Sequence, residues 1–251
     1  MRRKFIHTLW ALLVLGVLAV AVIFIAIWNG WIGYMPAVDD LQKPISSSAT
    51  KIYSSDGKLL GTWSYNKENR VIIDYSAISE HMVHALVATE DARFYDHSGI
   101  DFIALARAII KRGILRQSSA GGGSTITQQL AKQLYSETAP NSLARMMQKP
   151  IEWVIAVKLE RNYTKEEIIA LYLNYFAFLH NAVGIKTAAN TYFSKEPADL
   201  DINESALLVG LCKNPSLFNP VRFPERCQQR RNVVLRQMVK AGYITDEEYD
   251  V

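Results

Sequence analysis

An uncharged apolar run near the N-terminus constrains this chain more than any other feature. From Leu9 to Trp28 it reads LWALLVLGVLAVAVIFIAIW, without one charged side chain. About 20 such residues, each adding about 1.5 Å to a helix, cross a bilayer core of about 30 Å. The run therefore predicts a transmembrane helix over residues 9–28. A cleaved signal peptide is the alternative, but this run is longer than the apolar core of such a peptide, and no small-residue cleavage site follows it.

The charges before the run predict its orientation. Arg2, Arg3 and Lys4 precede it, and positively charged residues beside a membrane helix tend to stay in the cytoplasm. We therefore expect residues 1–8 to form a cytoplasmic tail. The chain after Trp28 should lie outside the cytoplasmic membrane.

Turn-forming residues separate the membrane helix from the rest of the chain. Pro36 and Pro44 mark residues 29–50 as a linker. A small hairpin should follow, because KIYSSDGKLLGTWS alternates apolar and polar residues around Asp56 and Gly57.

Helix start signals recur beyond Ser79. In each signal a threonine or aspartate precedes a glutamine or glutamate by three residues, which suits reciprocal capping of a helix N-terminus. The four pairs are Thr125 with Gln128, Thr164 with Glu167, Asp201 with Glu204, and Thr245 with Glu248. We predict a mainly α domain over residues 51–251, preceded by one transmembrane helix and opening on the small hairpin. Since the chain stops just after the last signal, we expect either a chosen boundary there or a gene that continues into another domain.

Charge and cysteine usage exclude some classes of partner and site. The net charge is +4 and no basic run follows the apolar segment, so we expect no nucleic-acid partner. Cys212 and Cys227 lack the spacing of metal ligands. They indicate packed thiols or one disulfide.

A first candidate cluster is EDARFYDHSG, from Glu90 to Gly99, at the end of an apolar segment predicted to be helical. Two adjacent acids are costly in a partly buried place unless they are used or paired. A partly desolvated carboxylate takes up a proton more readily, which suits Glu90 as a general base. For an arbitrary Glu-Asp pair, capping or an ion pair is the more common explanation.

A second cluster, GGGSTITQQLAKQLY, runs from Gly121 to Tyr135. It places a glycine run before a capped helix, and the amides at such a helix end attract phosphate. Gln128, Gln129 and Lys132 follow at spacings that bring them to one face, where they would meet the same ligand. The pattern is weak by itself, because the Gly-Lys-Ser/Thr order of a Walker motif is missing.

A third cluster, RMMQKPIEW, begins at Arg145. Arg145 and Glu152 share one helical face, together with Gln148 or Lys149. Pro150 should either lie in the first turn of this helix or kink it. Cations beside a carboxylate suit a pyrophosphate leaving group, whereas a solvated helix face with ordinary ion pairs is the alternative.

These clusters, in this order, resemble the signature motifs of the family 51 glycosyltransferases, the peptidoglycan transglycosylases found alone or in class A penicillin-binding proteins. The pattern ED-x-x-F-x-x-H-x-G is met at Glu90, Asp91, Phe94, His97 and Gly99, and G-x-STITQQ-x-x-K at Gly122, Ser124 through Gln129, and Lys132. KEEIIALYLN, from Lys165 to Asn174, resembles the fourth motif, and the similarity extends from about Ile52 to the end. Two residues depart from the family pattern: Gln133 stands in place of Asn, and Gln148 in place of Arg.

The resemblance implies a fold and an activity. It implies a lysozyme-like, two-lobed glycosyltransferase domain whose small lobe dips into the bacterial cytoplasmic membrane, and inhibition by moenomycin. The substrates would be lipid II and the growing glycan strand, joined by an inverting β-1,4 transfer that releases undecaprenyl pyrophosphate. Other cell-wall synthesis proteins would be its partners. No cofactor would be obligatory, although Mg²⁺ or Mn²⁺ could act through Glu152.

The resemblance also implies roles for single residues. Glu90 would be the general base, and Glu152 a second catalytic residue that positions the leaving group directly or through the cation. The residues that bind substrate and pyrophosphate would be Lys132, Lys149, Arg145, Gln128, Gln129, Ser124 and Thr125. The residues that shape the site would be Asp91, Phe94, His97, Gly99 and Asn174. Because Gln148 removes one cation, Arg145 should replace the lost charge from one turn earlier.

A second membrane contact is predicted from Asp101 to Arg116. In DFIALARAIIKRGILR the apolar residues fall on one broad arc bordered by basic residues. This pattern is typical of a helix that lies on anionic headgroups. A core helix with solvated flanks fits it equally well.

Three other functions are consistent with parts of the sequence. A glycan hydrolase would use one acid in a sugar cleft but would have no need of the paired cations. A penicillin-binding acyltransferase would need its S-x-x-K serine on a buried helix, whereas Ser55 falls in the predicted hairpin turn and no Lys-Thr-Gly sequence follows. A noncatalytic, membrane-tethered scaffold would merely hold the glycan.

Overall fold

A computed structural model describes the protein at residues 2–37, 41, 50–63, 70–110, 123–136 and 139–250. The first helix, α1, spans Arg2–Trp28 and includes most of the predicted tail, since no residue there breaks a helix. Within the described ranges, α1 is the one helix long and apolar enough to cross a membrane, judged by length and composition. Most of its apolar side chains are exposed, so α1 is not a core helix of the domain.

The predicted hairpin follows α1. Strand β1, Thr50–Tyr53, pairs antiparallel with strand β2, Leu59–Trp63. Gly57 lies in the turn with a φ of +80°, a conformation that glycine adopts without a steric penalty. Half of the predicted linker, residues 38–40 and 42–49, falls outside the described residues.

Beyond residue 79 the described chain is helical, as predicted, apart from turns and an isolated bridge between Ala177 and Val183. The helices are α2 (Glu80–Glu90), α3 (Phe102–Ala108), α4 (Ile126–Tyr135), α5 (Ser142–Asn162), α6 (Lys165–Tyr175), α7 (Ile185–Phe193), α8 (Ile202–Lys213), α9 (Pro224–Lys240) and α10 (Asp246–Asp250). Short 3₁₀ turns lie at Tyr75–Ala77, Phe94–Asp96 and Pro197–Asp199. The mainly α fold is thereby confirmed.

All four predicted helix start signals are confirmed. Reciprocal capping boxes join Thr125 to Gln128, Thr164 to Glu167 and Asp201 to Glu204. The backbone N–H of Thr245 donates to the Glu248 carboxylate at 2.8 Å, and the N–H of Glu248 donates to the Thr245 hydroxyl at 3.2 Å. Each cap stabilises its helix by about 1 kcal/mol.

Two groups of helices bury a common core. Helix α2 packs against α8 and α9, and α4 packs against α5 and α6. Their buried apolar side chains form one continuous cluster, in which Tyr172, Phe94 and Phe178 are among the largest. Burying a side chain of this size stabilises the fold by about 1.5–3 kcal/mol. Glu90, the last residue of α2, therefore lies close to where the two groups of helices meet.

Both cysteines lie in the interior. Cys212 and Cys227 are buried and free, so the prediction of packed thiols is confirmed and the disulfide alternative is wrong. Burial raises the pKa of both thiols, which keeps them protonated and unreactive near neutral pH.

Pro150 lies inside α5, well past its first turn, so the alternative that it opens the helix is wrong. The helix begins earlier because the Asn141 side chain caps it, accepting from the N–H of Ala144 at 2.8 Å. Proline lacks the N–H that would bond to the carbonyl of Met146. Met146 is 64% exposed, so water can replace the missing donor.

The N-terminal segment is packed onto the domain. The Lys158 ammonium and the Arg161 guanidinium lie 5.0 and 4.9 Å from the centre of the Trp28 ring, at the end of α1. Within the predicted linker, Leu41 is fully buried in the core cluster. The described part of the linker thus contacts the domain that it precedes.

Candidate active site

The Glu90 carboxylate contacts side chains from two other helices. Its Oε2 accepts a hydrogen bond from the Gln129 amide of α4 at 3.0 Å. Its Oε1 lies 3.7 Å from a guanidinium nitrogen of Arg230 in α9, and the Glu90 side chain is 16% exposed. The Tyr172 hydroxyl donates to the Gln129 carbonyl oxygen at 3.1 Å, which directs the Gln129 NH₂ group toward Glu90. The result is an oriented carboxylate with limited access to water.

Asp91, beside Glu90, ties together the segments around it. Its Oδ2 accepts from the backbone N–H of Ile126, at the start of α4, at 3.0 Å. The same oxygen lies 3.0 Å from Nε2 of His97. Both side chains are buried, so this pair connects the end of α2, the turn after it and the start of α4. These contacts suit the role predicted for Asp91 and His97, which is to shape the site.

Gly99 permits a close approach between this turn and α5. Its φ is +93°, and an added Cβ would lie 3.0 Å from the backbone of Ala156. A side chain at this position would meet backbone atoms that cannot move aside. Phe94, in the same turn, is fully buried, with the Lys165 ammonium 4.2 Å from the centre of its ring. These contacts fix the segment that follows Glu90.

The start of α4 uses its polar side chains within the protein. The Thr125 hydroxyl donates to the carbonyl of Gly99 at 2.7 Å, and the Gln128 amide donates to the same carbonyl at 3.3 Å. Both side chains are buried. These bonds use the polar groups of Gln128 and Thr125 within the protein, and their expected contact with a ligand stays a prediction. Gln129, rotated by about 100° along the helix, points to Glu90 instead.

Glu152 is the centre of a cationic cluster on α5. The Arg145 guanidinium bonds to both carboxylate oxygens, with one contact at 3.1 Å. The Lys149 ammonium lies 3.6 Å from the second oxygen, and the Ser136 hydroxyl donates to the first at 3.2 Å. Glu152 is 1% exposed. The predicted common face of Arg145, Lys149 and Glu152 is confirmed.

A cavity of about 490 Å³ opens beside this cluster. Its lining residues are Lys132, Ser136, Ala139, Asn141, Ser142, Arg145 and Gln148. The Lys149 ammonium donates to the Ser124 hydroxyl at 3.0 Å, which brings Ser124 to the same cluster.

The charge of this cluster is positive. Burial lowers the pKa of Lys149, and the nearby Arg145 and Lys132 lower it further, against the attraction of Glu152. Arg145 and Lys149 contact the single carboxylate of Glu152, and Lys132 is a third cation beside them, which leaves an excess of two positive charges. Such a cluster suits a dianionic ligand.

Helix α4 connects the acid to the cations. Gln129 contacts Glu90, and Lys132 lines the cavity with Arg145. Residues three apart on a helix are neighbours on one face, so Gln129 and Lys132 belong to the same side of α4. Glu90 itself is not among the residues that line the cavity. A ligand that contacts both Glu90 and the cavity would extend along this side of α4.

Asn174 contacts backbone that belongs neither to the surroundings of Glu90 nor to the cation cluster. Its side chain accepts from the N–H of Ile73 at 3.2 Å and donates to the carbonyl of the same residue at 2.8 Å. It therefore fastens the segment that precedes α2. These bonds reach backbone outside the cluster, and the expected role of Asn174 in shaping the site stays a prediction.

Sequence reasoning missed Arg230, Tyr172 and Ser136. Arg230 stands beside a second arginine in a polar helix, and no local pattern distinguishes the two. Tyr172 falls within an apolar run, where its ring predicts burial and says nothing of its hydroxyl. Their roles depend on which helices pack together, which the sequence pattern does not state.

The contacts of Glu152 do not favour a metal ion. Within the described ranges, no group of three or more His, Cys, Asp or Glu side chains could hold one. Both Glu152 oxygens already contact the Arg145 guanidinium, and a divalent cation would be repelled by Arg145 and Lys149. The Mg²⁺ or Mn²⁺ expected there stays a prediction, and no step below depends on it.

The fold and the site define a helical transferase domain in which an oriented carboxylate lies near a cation-lined cavity. The family model described as Transglycosylase matches residues 56–239. The chain belongs to this family, whose domain is a peptidoglycan glycosyltransferase.

Several curated proteins are similar to the chain along most of its length. It is 40% identical over 248 residues to penicillin-binding protein 1A of Aquifex aeolicus, covering 95% of this chain and 32% of that protein. It is 37% identical to penicillin-binding protein 1A of Haemophilus influenzae, covering 98% of this chain and 26% of that protein. For penicillin-binding protein 1A of Escherichia coli the identity is 38%, covering 86% and 25%. The chain thus spans a third or less of the length of these relatives.

A solved structure is also similar to the chain. The crystal structure of penicillin-binding protein 1A from Haemophilus influenzae has 25% sequence identity and a TM-score of 0.44, covering 81% of this chain and 20% of that chain.

Proposed function

We propose that this chain polymerises lipid II into β-1,4-linked glycan strands, with Glu90 as the general base. The observation that carries the proposal is the position of Glu90. Gln129 orients its carboxylate, and Lys132, one turn along the same helix, lines a cavity with Arg145. An oriented carboxylate suits a sugar acceptor, whose hydroxyl must lose a proton. A group of cations suits a diphosphate leaving group.

The proposed reaction is a single displacement at the anomeric carbon of the donor. The acceptor 4-hydroxyl gives its proton to Glu90 as its oxygen forms the new bond to that carbon. The bond from the carbon to the diphosphate oxygen breaks, and undecaprenyl pyrophosphate leaves with the electron pair. Attack from the opposite side inverts the configuration, without a covalent enzyme intermediate.

The proposed partners of the departing diphosphate are Lys132, Arg145 and Lys149. Their excess positive charge lies where negative charge grows as the bond breaks. Glu152 holds Arg145 by both oxygens and so positions this cation for the ligand. This role for Arg145 would compensate for Gln148, which stands where the family has Arg.

The proposed site of action is the outer surface of the bacterial cytoplasmic membrane, with the N-terminus in the cytoplasm. Besides α1, exposed apolar side chains support a membrane contact at α3 and just after it, namely Phe102, Ile103, Ile109 and Ile110. Their exposure disfavours the alternative of a core helix. Of the basic residues predicted to border this face, Arg107 lies in α3 and is exposed. The others, Lys111, Arg112 and Arg116, fall outside the described residues.

The alternatives are less well supported. Hydrolysis of a glycosidic bond releases no diphosphate, so it would not explain the cations around Glu152. An acyltransferase role for Ser55 is disfavoured because this residue is exposed in the hairpin turn, whereas such a nucleophile should open a buried helix.

A polymerisation assay with a matched pair of variants tests the proposal. In detergent with labelled lipid II, the chain should form polymer and release undecaprenyl pyrophosphate, and moenomycin should block both. Glu90→Gln should lower the rate by about 100-fold or more while retaining lipid II binding. The control is Glu80→Gln at the exposed start of the same helix, which should leave the rate unchanged. Soluble sugar fragments from finished sacculi, with no polymer, would favour hydrolysis; an active Glu90→Gln variant would exclude this base.

A further inference from the structure

The contact between Glu90 and Arg230 joins the candidate base to a cation that lies apart from the cation cluster. The two charged groups are 3.7 Å apart, and the side chain of Arg230 is only 11% exposed. A screened surface ion pair would have little effect, but both of these groups are largely withdrawn from water. Their interaction is therefore screened less by solvent than that of a surface pair.

Two further titratable groups near this pair are uncharged at neutral pH. Tyr172 of α6 and Cys212 of α8 also interact electrostatically with Glu90. Burial raises the pKa of both groups well above the ordinary value. Near neutral pH, Arg230 is thus a positively charged neighbour of Glu90, whereas the adjacent carboxylate of Asp91 contacts His97.

The packing of α9 on α8 holds the Arg230 side chain in place. Gly210 of α8 faces it, and a Cβ added at Gly210 would lie 3.2 Å from Cγ of Arg230. The guanidinium lies 5.9 Å from the centre of the Phe218 ring, and its buried Nε has no hydrogen-bond partner among the described residues. Burial lowers the pKa of Arg230, and the charge of Glu90 acts in the opposite direction. The guanidinium is thus held near Glu90 by packing and charge.

We propose that Arg230 is a positioning residue that keeps the Glu90 carboxylate ionised and oriented between turnovers. This inference rests on the proposed function of Glu90 as base. Gln129 holds one carboxylate oxygen and Arg230 faces the other, so rotation of the carboxylate is restricted. Once Glu90 has taken the acceptor proton, the nearby positive charge favours release of that proton and restores the base.

The kinetic test is the pH dependence of polymerisation by Arg230→Gln. Removing an opposite charge at this distance should move the acid limb of the rate profile to higher pH by about one unit. Turnover at low pH should fall about tenfold, while KM for lipid II stays near the wild-type value. Arg230→Lys, which keeps the charge, should restore most of the acid limb. An unshifted limb in Arg230→Gln would overturn the proposal.

The matched control is Arg231→Gln on the same helix. The Arg231 guanidinium bonds to its neighbour Asn232 at 2.9 and 3.1 Å, away from Glu90. Arg231→Gln should leave the acid limb of the rate profile at its wild-type pH. A limb shifted equally by both variants would mean that any loss of charge from α9 has this effect, which would also overturn the proposal.

A measurement without substrate separates this inference from the proposed function. In protein labelled with ¹³C at glutamate carboxylates, the Glu90 signal is identified by its loss in Glu90→Gln. Its titration should move to higher pH in Arg230→Gln and not in Arg231→Gln. If the Glu90 titration moves while the wild-type chain forms no polymer, the role of Arg230 is supported and the proposed polymerase function is refuted. If it does not move, Arg230 does not control Glu90.

A remote variant covers the case in which Arg230→Gln does not fold. Gly210→Ala would place a methyl group against the stem of Arg230 and displace the guanidinium without removing its charge. The Glu90 titration should move in the same direction by a smaller amount. An unchanged titration, with a shifted Arg230 side chain in a crystal structure, would count against the inference.

Discussion

Replacing Arg145 by alanine tests the cation cluster most directly. The guanidinium bonds to both oxygens of Glu152, whose side chain is 1% exposed, while that of Arg145 is 31% exposed. Breaking a fully buried pair costs about 3–5 kcal/mol. Since Arg145 is partly solvated and Lys149 and Ser136 stay beside Glu152, we expect a loss of about 1–2 kcal/mol of stability. Domains are commonly stable by about 5–15 kcal/mol, so the variant should remain folded.

The effect of Arg145→Ala on turnover should be larger than its effect on folding. Removing one preorganised group from the position where charge develops typically lowers the rate by about 100-fold. Initial rates of undecaprenyl pyrophosphate release measure turnover, and thermal unfolding measures the remaining folded fraction. Arg161→Ala on the same helix, beside Trp28 and outside the cavity, is the control and should keep its rate. Near-normal turnover of a folded Arg145→Ala variant would refute the assignment of this residue to the leaving group.

Two further predictions concern pH and packing. Because the folded-state pKa of Lys149 lies below the usual 10.5, its positive charge is present below that lowered pKa and lost above it. Affinity for inorganic pyrophosphate, measured by calorimetry, should therefore decline on the alkaline side, and Lys149→Arg should remove the decline; an identical decline in both proteins would contradict this. Gly99→Ala combines a φ of +93° with a Cβ 3.0 Å from the Ala156 backbone, so it should cost about 3 kcal/mol in urea unfolding. Gly57→Ala, with a φ of +80° and open space around its Cβ, should cost only about 1 kcal/mol, and equal losses would show that packing at Gly99 is unimportant.

Local signals in the sequence predicted much of the secondary structure. Capping pairs such as Thr164 with Glu167 are complete within four residues, so no knowledge of the fold was needed to place them. The common face of Arg145 and Glu152 follows from the helical period alone. The alternatives for Pro150 could not be resolved in this way, because the start of α5 depends on a cap at Asn141 that is not followed by Glu or Gln at the third position.

The second cluster shows where a local pattern stops being informative. Gln128 and Gln129 are adjacent and chemically identical, and periodicity places both near the same ligand. Packing against the turn at Gly99 buries the first, and packing against Tyr172 turns the second toward Glu90. The helix is the same in both cases; the neighbouring elements decide which side chain is available.

The sequence by itself determined the apolar helix, the hairpin, the capped helices and the face that carries Arg145 and Glu152. Each of these depends on residues within a few positions of one another, where backbone geometry sets the spacing. Only the tertiary structure decided that Gln129 and Arg230 meet the carboxylate of Glu90. These contacts join three helices far apart in the chain, and they exist because a shared apolar core brings the end of α2 against α4 and α9.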